Sequence, residues 1–480
     1  MKELAMLALD TVKYLGTSYA DIRINRYKSQ SVGAENDRKG RERVTSLRES
    51  EDFGFGVRVL YDGAWGFSSS NVVTKEEVER ISARAVQIAK ESAMVKVNDV
   101  ILTPEPPHVD VWQTPITKDP FLISTEQKID FLNRINSEVK QTKGIEISSS
   151  NMSFYLHDKI FASTEGSYVQ QKLYRSGCGY RATAVKDGKR ETRRNPDLPL
   201  GRGYEYIEER PLIEEAPRVA EEAIMKLDAV EAEPGRKTLI LDPTHLCLTI
   251  HESVGHPTEL DRALGWEANY AGRSFCTPDK LNTMRYGSDI VNFVADNTLI
   301  HGLSTCGYDD EGVKTQHWHI VKDGIFVSFG TSREVAHLIG LKRSRGSCFA
   351  SSWRFMPINR IPNLSLMPGT WELDDLFADT REGIYIEGRG NYSIDQLRYN
   401  FQFGGDMFWE IKNGKKARVL KNVLYGGITT EFWGSCDAIC NEKYWRPFGV
   451  SGCAKGQPVQ IHTMTHGSAH ARFRSIKVGV

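Results

Sequence analysis

Lys237-Thr238-Leu239-Ile240-Leu241-Asp242-Pro243-Thr244-His245-Leu246-Cys247-Leu248-Thr249-Ile250-His251-Glu252-Ser253-Val254-Gly255-His256-Pro257 joins a strand to a helix without a loop. Lys237 to Leu241 is a short apolar strand. Asp242 is an N-cap residue, and Pro243 suits the first helical position because proline has no N–H to donate there. Leu246, Ile250 and Val254 recur every four residues and form one apolar stripe. The helix therefore presents His251, Glu252 and His256. The histidines are five positions apart, so on a regular helix they point about 140° apart. Two closures bring them together. The preferred one makes Gly255 the left-handed residue of a Schellman stop, folding His256 back over His251, with Pro257 following as prolines do after a helix end. The other is a π-bulge in a continuing helix.

The organisation follows outward from this helix. After Lys237 strand signals dominate, with tight turns at Asp323-Gly324 and Asn413-Gly414. Before it, helices and strands mix. Tyr61-Asp62-Gly63-Ala64 and Asp187-Gly188 mark hairpins. Thr74 to Glu77 and Ser124 to Gln127 read as capping boxes. Val78, Ile81, Ala85 and Ile88 share one helical face, as do Leu132, Ile135 and Val139. A further helix over 213–227 aligns Ala216, Ala220, Ala223 and Leu227. The proline-rich run from Thr103 to Pro107, continuing to Pro115 and Pro120, reads as a linker or a wrapped connection. The expected class is α+β: an N-terminal α/β portion in two lobes, residues 1–110 and 111–233, then a large β-rich domain, 234–480, carrying the histidine helix.

The charges balance at 62 basic and 62 acidic residues, which removes the electrostatic argument for a nucleic-acid partner. No apolar run is long enough to span a bilayer, and the first residues resemble an amphipathic helix rather than a signal peptide. The expected location is the cytoplasm, with no membrane partner. Eight dispersed cysteines are too few for a disulfide scaffold in 480 residues. Cys436 and Cys440 read as core cysteines.

Histidines flanking a glutamate on a helix point to metal chemistry. In the HExxH pattern the i and i+4 histidines bind zinc, and the glutamate beside the first accepts a proton from water. Glu252 holds the same place here. A catalytic zinc normally has three protein ligands and one open position. Spacing alone does not choose the third among the cysteines, although the glycine-rich run Gly449 to Gly456 makes Cys453 a candidate, with Lys455 placed to favour a thiolate. His462, His466 and His470 repeat every four residues, yet strand-like segments flank them, so a metal-binding helical face is not expected there. His317 and His319 alternate about Trp318 on a strand and read as surface or core histidines.

A wider pattern surrounds these residues. His251-Glu252-Ser253-Val254-Gly255-His256 is followed by Glu259 and Asp261, then Asp309-Asp310-Glu311-Gly312 and Val321-Lys322-Asp323-Gly324. Ala336 to Gly340, Pro362-Asn363-Leu364, Pro368-Gly369, Gly383-Ile384-Tyr385, Lys412 to Lys415 and Cys453-Ala454-Lys455-Gly456-Gln457 complete it. In this order and spacing, over residues of about 240 to 460, the chain resembles the TldD/PmbA family, specifically the TldD-like catalytic type. The resemblance implies zinc held by His251, His256 and Cys453, with Glu252 as base. It implies a peptidase acting on unfolded or extended polypeptides, as a homodimer or beside a related subunit lacking HExxxH. Ala454, where the family has glycine, and Asn359-Arg360-Ile361-Pro362-Asn363 depart from the pattern without touching a ligand. Two other functions are compatible with the sequence: a non-catalytic scaffold or peptide-binding subunit, against which the intact motif argues, and a zinc hydrolase of non-peptide amides.

Overall fold

The computed structural model describes residues 1–479. Its N-terminal sheet starts from a strand that is buried on both sides. In β1 (Tyr19–Asn36), Ile22 and Ile24 pack into an apolar cluster with two helices, α1 (Lys2–Tyr14) and α2 (Lys75–Ala93). The alternate residues Asp21, Arg23 and Asn25 are buried on the opposite face. Period-two alternation here separates an apolar face from a charged one, rather than core from solvent.

β1 pairs antiparallel with β2 (Glu42–Tyr61) on one side and β5 (Ile145–Ser163) on the other. Between these lie β3 (Ala64–Ser70), β4 (Val109–Gln113) and α3 (Thr125–Gln141) in the chain. β6 (Tyr168–Lys186) and β7 (Lys189–Asn195) finish a sheet of seven strands, ordered β3-β2-β1-β5-β6-β4 with β7 also on β6. The two N-terminal segments thus share one sheet but keep separate apolar cores. α3 and α4 (Ala216–Leu227) cover the second, with Leu132, Ile135, Val139, Ala216, Ala220 and Ala223 at its centre.

Local chemistry explains the joints. Asp62-Gly63, Asp187-Gly188, Asp323-Gly324 and Asn413-Gly414 all have positive φ at both positions, the conformation of a two-residue hairpin turn. Ser124 and Gln127 form the full reciprocal cap of α3. Thr74 caps α2 by accepting from the Glu77 N–H, but the Glu77 carboxylate turns to Ser70 and Arg80 instead of closing the box. The proline-rich connection is not only a linker: β4 lies within it and adds to the sheet parallel to β6. No helix among the described residues is long and apolar enough to cross a membrane.

The C-terminal portion is built on a ten-stranded sheet. At its middle, β8 (Gly235–Leu241) runs parallel to β9 (Glu382–Glu387) and antiparallel to a late strand, Ala471–Val478. The main apolar cluster lies against this sheet and includes Leu239, Ile240, Ile250, Phe293, Trp433 and Phe473.

Charged contacts join the two portions. The Asp309-Asp310-Glu311-Gly312 run meets the charged face of the N-terminal sheet: Arg58 bonds Asp21 at 2.7 Å and Glu311 at 3.2 Å, and Lys159 bonds Asp310 at 2.9 Å. At the other end Arg193 of β7 bonds Glu222 at 2.7 Å, and Glu387 and Asp406 at 2.9 Å each. All four groups are nearly buried, so removing the cation takes a buried partner from three carboxylates at once. Arg193→Met is expected to lower unfolding free energy by about 3 kcal/mol, read as a reduced urea midpoint; an unchanged midpoint would show that the cluster does not hold the portions together.

Candidate metal centre

β8 ends at Asp242, whose carboxylate accepts from the His245 N–H at 2.9 Å and so starts α5 (Pro243–Ile250). His245 is a satisfied core histidine, bonded to Gly388 O and the Tyr425 hydroxyl at 2.8 Å each. The helix then widens. Residues His251–Gly255 form a π turn, closed by the His256 N–H bonding His251 O, and a 3₁₀ turn follows over His256–Thr258.

Gly255 has φ −60° and ψ −63°, an ordinary right-handed helical residue. The Schellman closure is therefore wrong, and the π turn is the closure used. Gly255 is needed for space instead of handedness: a Cβ there would lie 2.9 Å from Ile361 Cδ1 and 3.0 Å from its Cγ2. The inserted residue rotates His256 onto the His251 side, and their ring centroids are 4.8 Å apart. The Tyr286 hydroxyl donates to Ser253 O, and Thr258 Oγ1 donates to Val254 O at 2.7 Å, satisfying carbonyls that the wider turn frees.

The third group arrives from the far end of the chain. Cys453 lies on β10 (Arg446–Lys455), opposite His462 on β11 (Gln460–Ser468). Potential ligand atoms of His251, His256 and Cys453 all lie within 4.8 Å of one another, and all three residues are buried. Cys453 Sγ is 3.6 Å from His256 Nε2.

The remaining ring nitrogens are committed. Leu364 O accepts from His466 Nδ1 at 2.9 Å, so neutral His466 presents Nε2 as an acceptor. His251 Nδ1 donates to that atom at 2.9 Å, leaving its own Nε2 bare. His256 Nδ1 donates to Glu259 Oε2 at 2.9 Å, which bares its Nε2 as well. Burial opposes charge on Glu259, but Lys455, His256 and Arg262 outweigh it and hold the carboxyl well below its usual range. Burial also keeps the imidazoles neutral: His251 lies well below its ordinary value, and His256 falls to about 3. It lifts the Cys453 thiol to about 11. Neutral imidazoles are the ligand form, while the thiol must shed a proton to bind a cation. Two bare Nε2 atoms and a sulfur at this spacing fit a tetrahedral, borderline-soft divalent ion, zinc above magnesium or calcium.

Glu252, in the same π turn, is nearly buried. Arg398 donates to its Oε2 at 2.8 Å. Burial raises its carboxyl above the usual range, against the opposing pull of Arg398.

Sequence reasoning missed His466, Arg398 and Arg360. The period of four in His462, His466 and His470 mimics a helix, but the first two lie on β11, where residues four apart also share a face. His466 faces His251, whereas His462 bonds Ser304 at 3.0 Å. Lys455 does not serve the thiol. Its ammonium bonds Asp261 and Asn359 O at 2.7 Å and Glu259 at 3.1 Å. The cation beside Cys453 is Arg360, which donates to Cys453 O at 2.6 Å. His317 and His319 are exposed on their strand, and all eight cysteines are unpaired and buried.

Comparison with known proteins gives this two-portion α+β fold its class, the metallopeptidases. Three family models match the chain: PmbA/TldA metallopeptidase domain 1 over residues 20–89, the central domain over 118–229 and the C-terminal domain over 234–479. The chain belongs to the PmbA/TldD metallopeptidase family. A metalloprotease of Methanocaldococcus jannaschii is 29% identical, covering 92% of this chain and 94% of its own. A protein of Saccharolobus solfataricus named as a zinc metalloprotease TldD homolog is 26% identical, covering 97% of each. The same fold occurs in a Thermotoga maritima protein described as a candidate modulator of a DNA gyrase, with TM-score 0.78, 16% identity and 100% of both chains covered. It occurs also in TldE of Thermococcus kodakarensis, with TM-score 0.71, 15% identity and 100% of both chains covered.

Because Gly255 packs on Ile361, Gly255→Ala is expected to destabilise the protein by about 1–3 kcal/mol through overpacking. Ile361→Val in the same chain should restore part of the loss. Thermal unfolding of the single and double variants measures this, and a neutral Gly255→Ala would show that the π turn has room to spare.

Proposed function

We propose that His251, His256 and Cys453 hold a zinc ion, and that Glu252 is the general base for hydrolysing peptide bonds of unfolded or extended polypeptides. The observation that carries this is the pair of bare Nε2 atoms facing the Cys453 sulfur, with both Nδ1 atoms engaged elsewhere. A zinc homologue and the metallopeptidase family models support the choice of ion and reaction.

Bound zinc would supply Lewis acidity to the scissile carbonyl and to water in the same site. Glu252 takes the proton from the attacking water and delivers it to the amine that leaves when the C–N bond breaks. Arg398 holds one oxygen of the Glu252 carboxylate, Oε2. Burial raises the basicity of that carboxylate, and Arg398 limits the rise. His466 and Glu259 hold the two ligand rings in tautomer and orientation.

In this reading the protein works in the cytoplasm, which the eight unpaired cysteines favour. It acts as a homodimer or with a related subunit lacking HExxxH, and the full-length likeness to TldE supports a partner of the same fold. We propose the divisions 1–110, 111–233 and 234–480 as its domains; each of the three family models falls within one of them.

Degradation of an unfolded polypeptide, followed with and without chelator, tests the reaction. Activity lost under chelator and regained with zinc is the expected result; chelator-insensitive activity would remove the metal from it. Glu252→Gln should reduce turnover by about 10²–10⁴-fold while zinc content stays at the wild-type level, and retained turnover would exclude Glu252 as the base. His466→Phe should weaken zinc affinity by about 10–100-fold, measured by competition with a chromophoric chelator; wild-type affinity would show that His466 does not set the His251 tautomer.

A further inference from the structure

An open cavity adjoins the metal centre. A cavity of about 570 Å³ opens between the N-terminal sheet and the β10–β11 hairpin. That size is typical of a small-ligand site. Ser451, two residues before Cys453, and His462, paired with Cys453 across the hairpin, both line it. The cavity and the candidate centre therefore share a wall.

Its lining has the composition of a recognition site. Leu173, Phe349 and Ile461 give it apolar surface. Arg175 of β6 contributes a half-buried guanidinium, and the ionisable groups that influence it are Cys306, Tyr27 and Tyr155, with no carboxylate among them. The other charges are accounted for. Lys159 is paired with Asp310 at 2.9 Å, and Lys28 at the rim lies 3.8 Å from Glu51. Asp197 accepts from Ser153 at 3.2 Å and Asn151 at 3.3 Å. Four buried polar atoms of the lining residues have no hydrogen-bond partner: Tyr27 Oη, His157 Nε2, Thr463 Oγ1 and Asp197 Oδ1, the last packed against Gly177. Tyr27 and His157 stack with centroids 4.3 Å apart, which fixes the positions of their polar edges.

An unpaired cation and orphan polar atoms in one cavity cost free energy unless a ligand satisfies them. The planar guanidinium fork matches a carboxylate, which also accepts from hydroxyls and from a ring N–H. We propose that Arg175, with Tyr27, His157 and Thr463, forms a subsite for a carboxylate of the peptide substrate beside the metal centre. This rests on the peptidase reading of that centre. The carboxylate is either the substrate's C-terminus or an acidic side chain near the scissile bond. In both cases it anchors one end of an extended peptide while the other passes the Cys453 side of the hairpin.

Binding to the full-length protein under chelator tests the subsite without requiring turnover, so it can fail while the hydrolytic reading stands, and the reverse. The probes are a fluorescein-labelled apolar peptide with a free C-terminus, the same peptide amidated, and the amidated peptide with one internal glutamate. Fluorescence anisotropy should show the free-carboxylate peptide binding about tenfold tighter than the amide, the effect of one charge-assisted contact. Arg175→Gln should abolish that preference, and Arg175→Lys should keep part of it. If the glutamate peptide binds tighter than the plain amide and the free C-terminus does not, the subsite reads side chains. Equal or undetectable binding of all three peptides to the wild type overturns the proposal. So does a carboxylate preference that survives Arg175→Gln.

Discussion

One hydrogen bond sets the geometry of the centre: the His256 N–H reaching back five residues to His251 O. A regular helix turns these histidines apart, and one extra residue in the turn brings them to a common side. That insertion has structural costs, and the surroundings are arranged around them. Tyr286 and Thr258 bond carbonyls of the widened turn, and Trp433 donates to Ser253 Oγ at 3.0 Å. Ile361 fills the space beside Gly255. The large apolar core of the C-terminal portion is in this sense a mould for the widened turn, and π turns of this kind occur frequently at functional sites.

Much of the frame was legible because local chemistry decides it. Asp-Gly and Asn-Gly pairs are nearly obliged to be hairpin turns, and Asp242-Pro243 has few alternatives to a helix start. The errors have a common physical source, which is that one residue type answers two different demands. Gly255 was read as a residue chosen for positive φ, whereas its φ is −60° and its role is to leave room for Ile361. His462 and His466 are rightly not expected on a helical metal face, but a strand also places residues four apart on one side, and that reading leaves out the contact of His466 with His251. Neither ambiguity can be resolved within a window of sequence, because the deciding neighbour is about one hundred residues away or more. Cys453 shows the same limit. Motif chemistry asked for a third ligand, and only the long-range pattern of the chain pointed to this cysteine.

Lys455 explains why the distant strand arrives in register. It is fully buried, so its charge needs compensation close by. Glu259 and Asp261 follow the histidine turn, and Asn359 belongs to the segment running into Ile361. One ammonium thereby ties the turn, the segment packed on it and the strand that carries Cys453. Glu259 belongs to both systems: it accepts from Lys455 with one oxygen and orients His256 with the other. A lysine that sequence reasoning assigned to the thiol instead fixes the position from which the thiol acts.

The charged face of the N-terminal sheet follows the same logic on a larger scale. Asp21, Arg58, Lys159 and Gln171 are buried against the 306–312 region, with partners supplied from both sides of the junction. Ion pairs at a buried junction specify geometry more than they add stability, because their desolvation offsets their attraction. A junction held by matched charges therefore fixes the distance between the N-terminal sheet and the β10–β11 hairpin. An apolar junction would be free to collapse onto whatever space lay beside it. Beside the metal centre, Lys159 and Asp310 of the cavity wall are already paired with each other, and Arg175 is the cation left over.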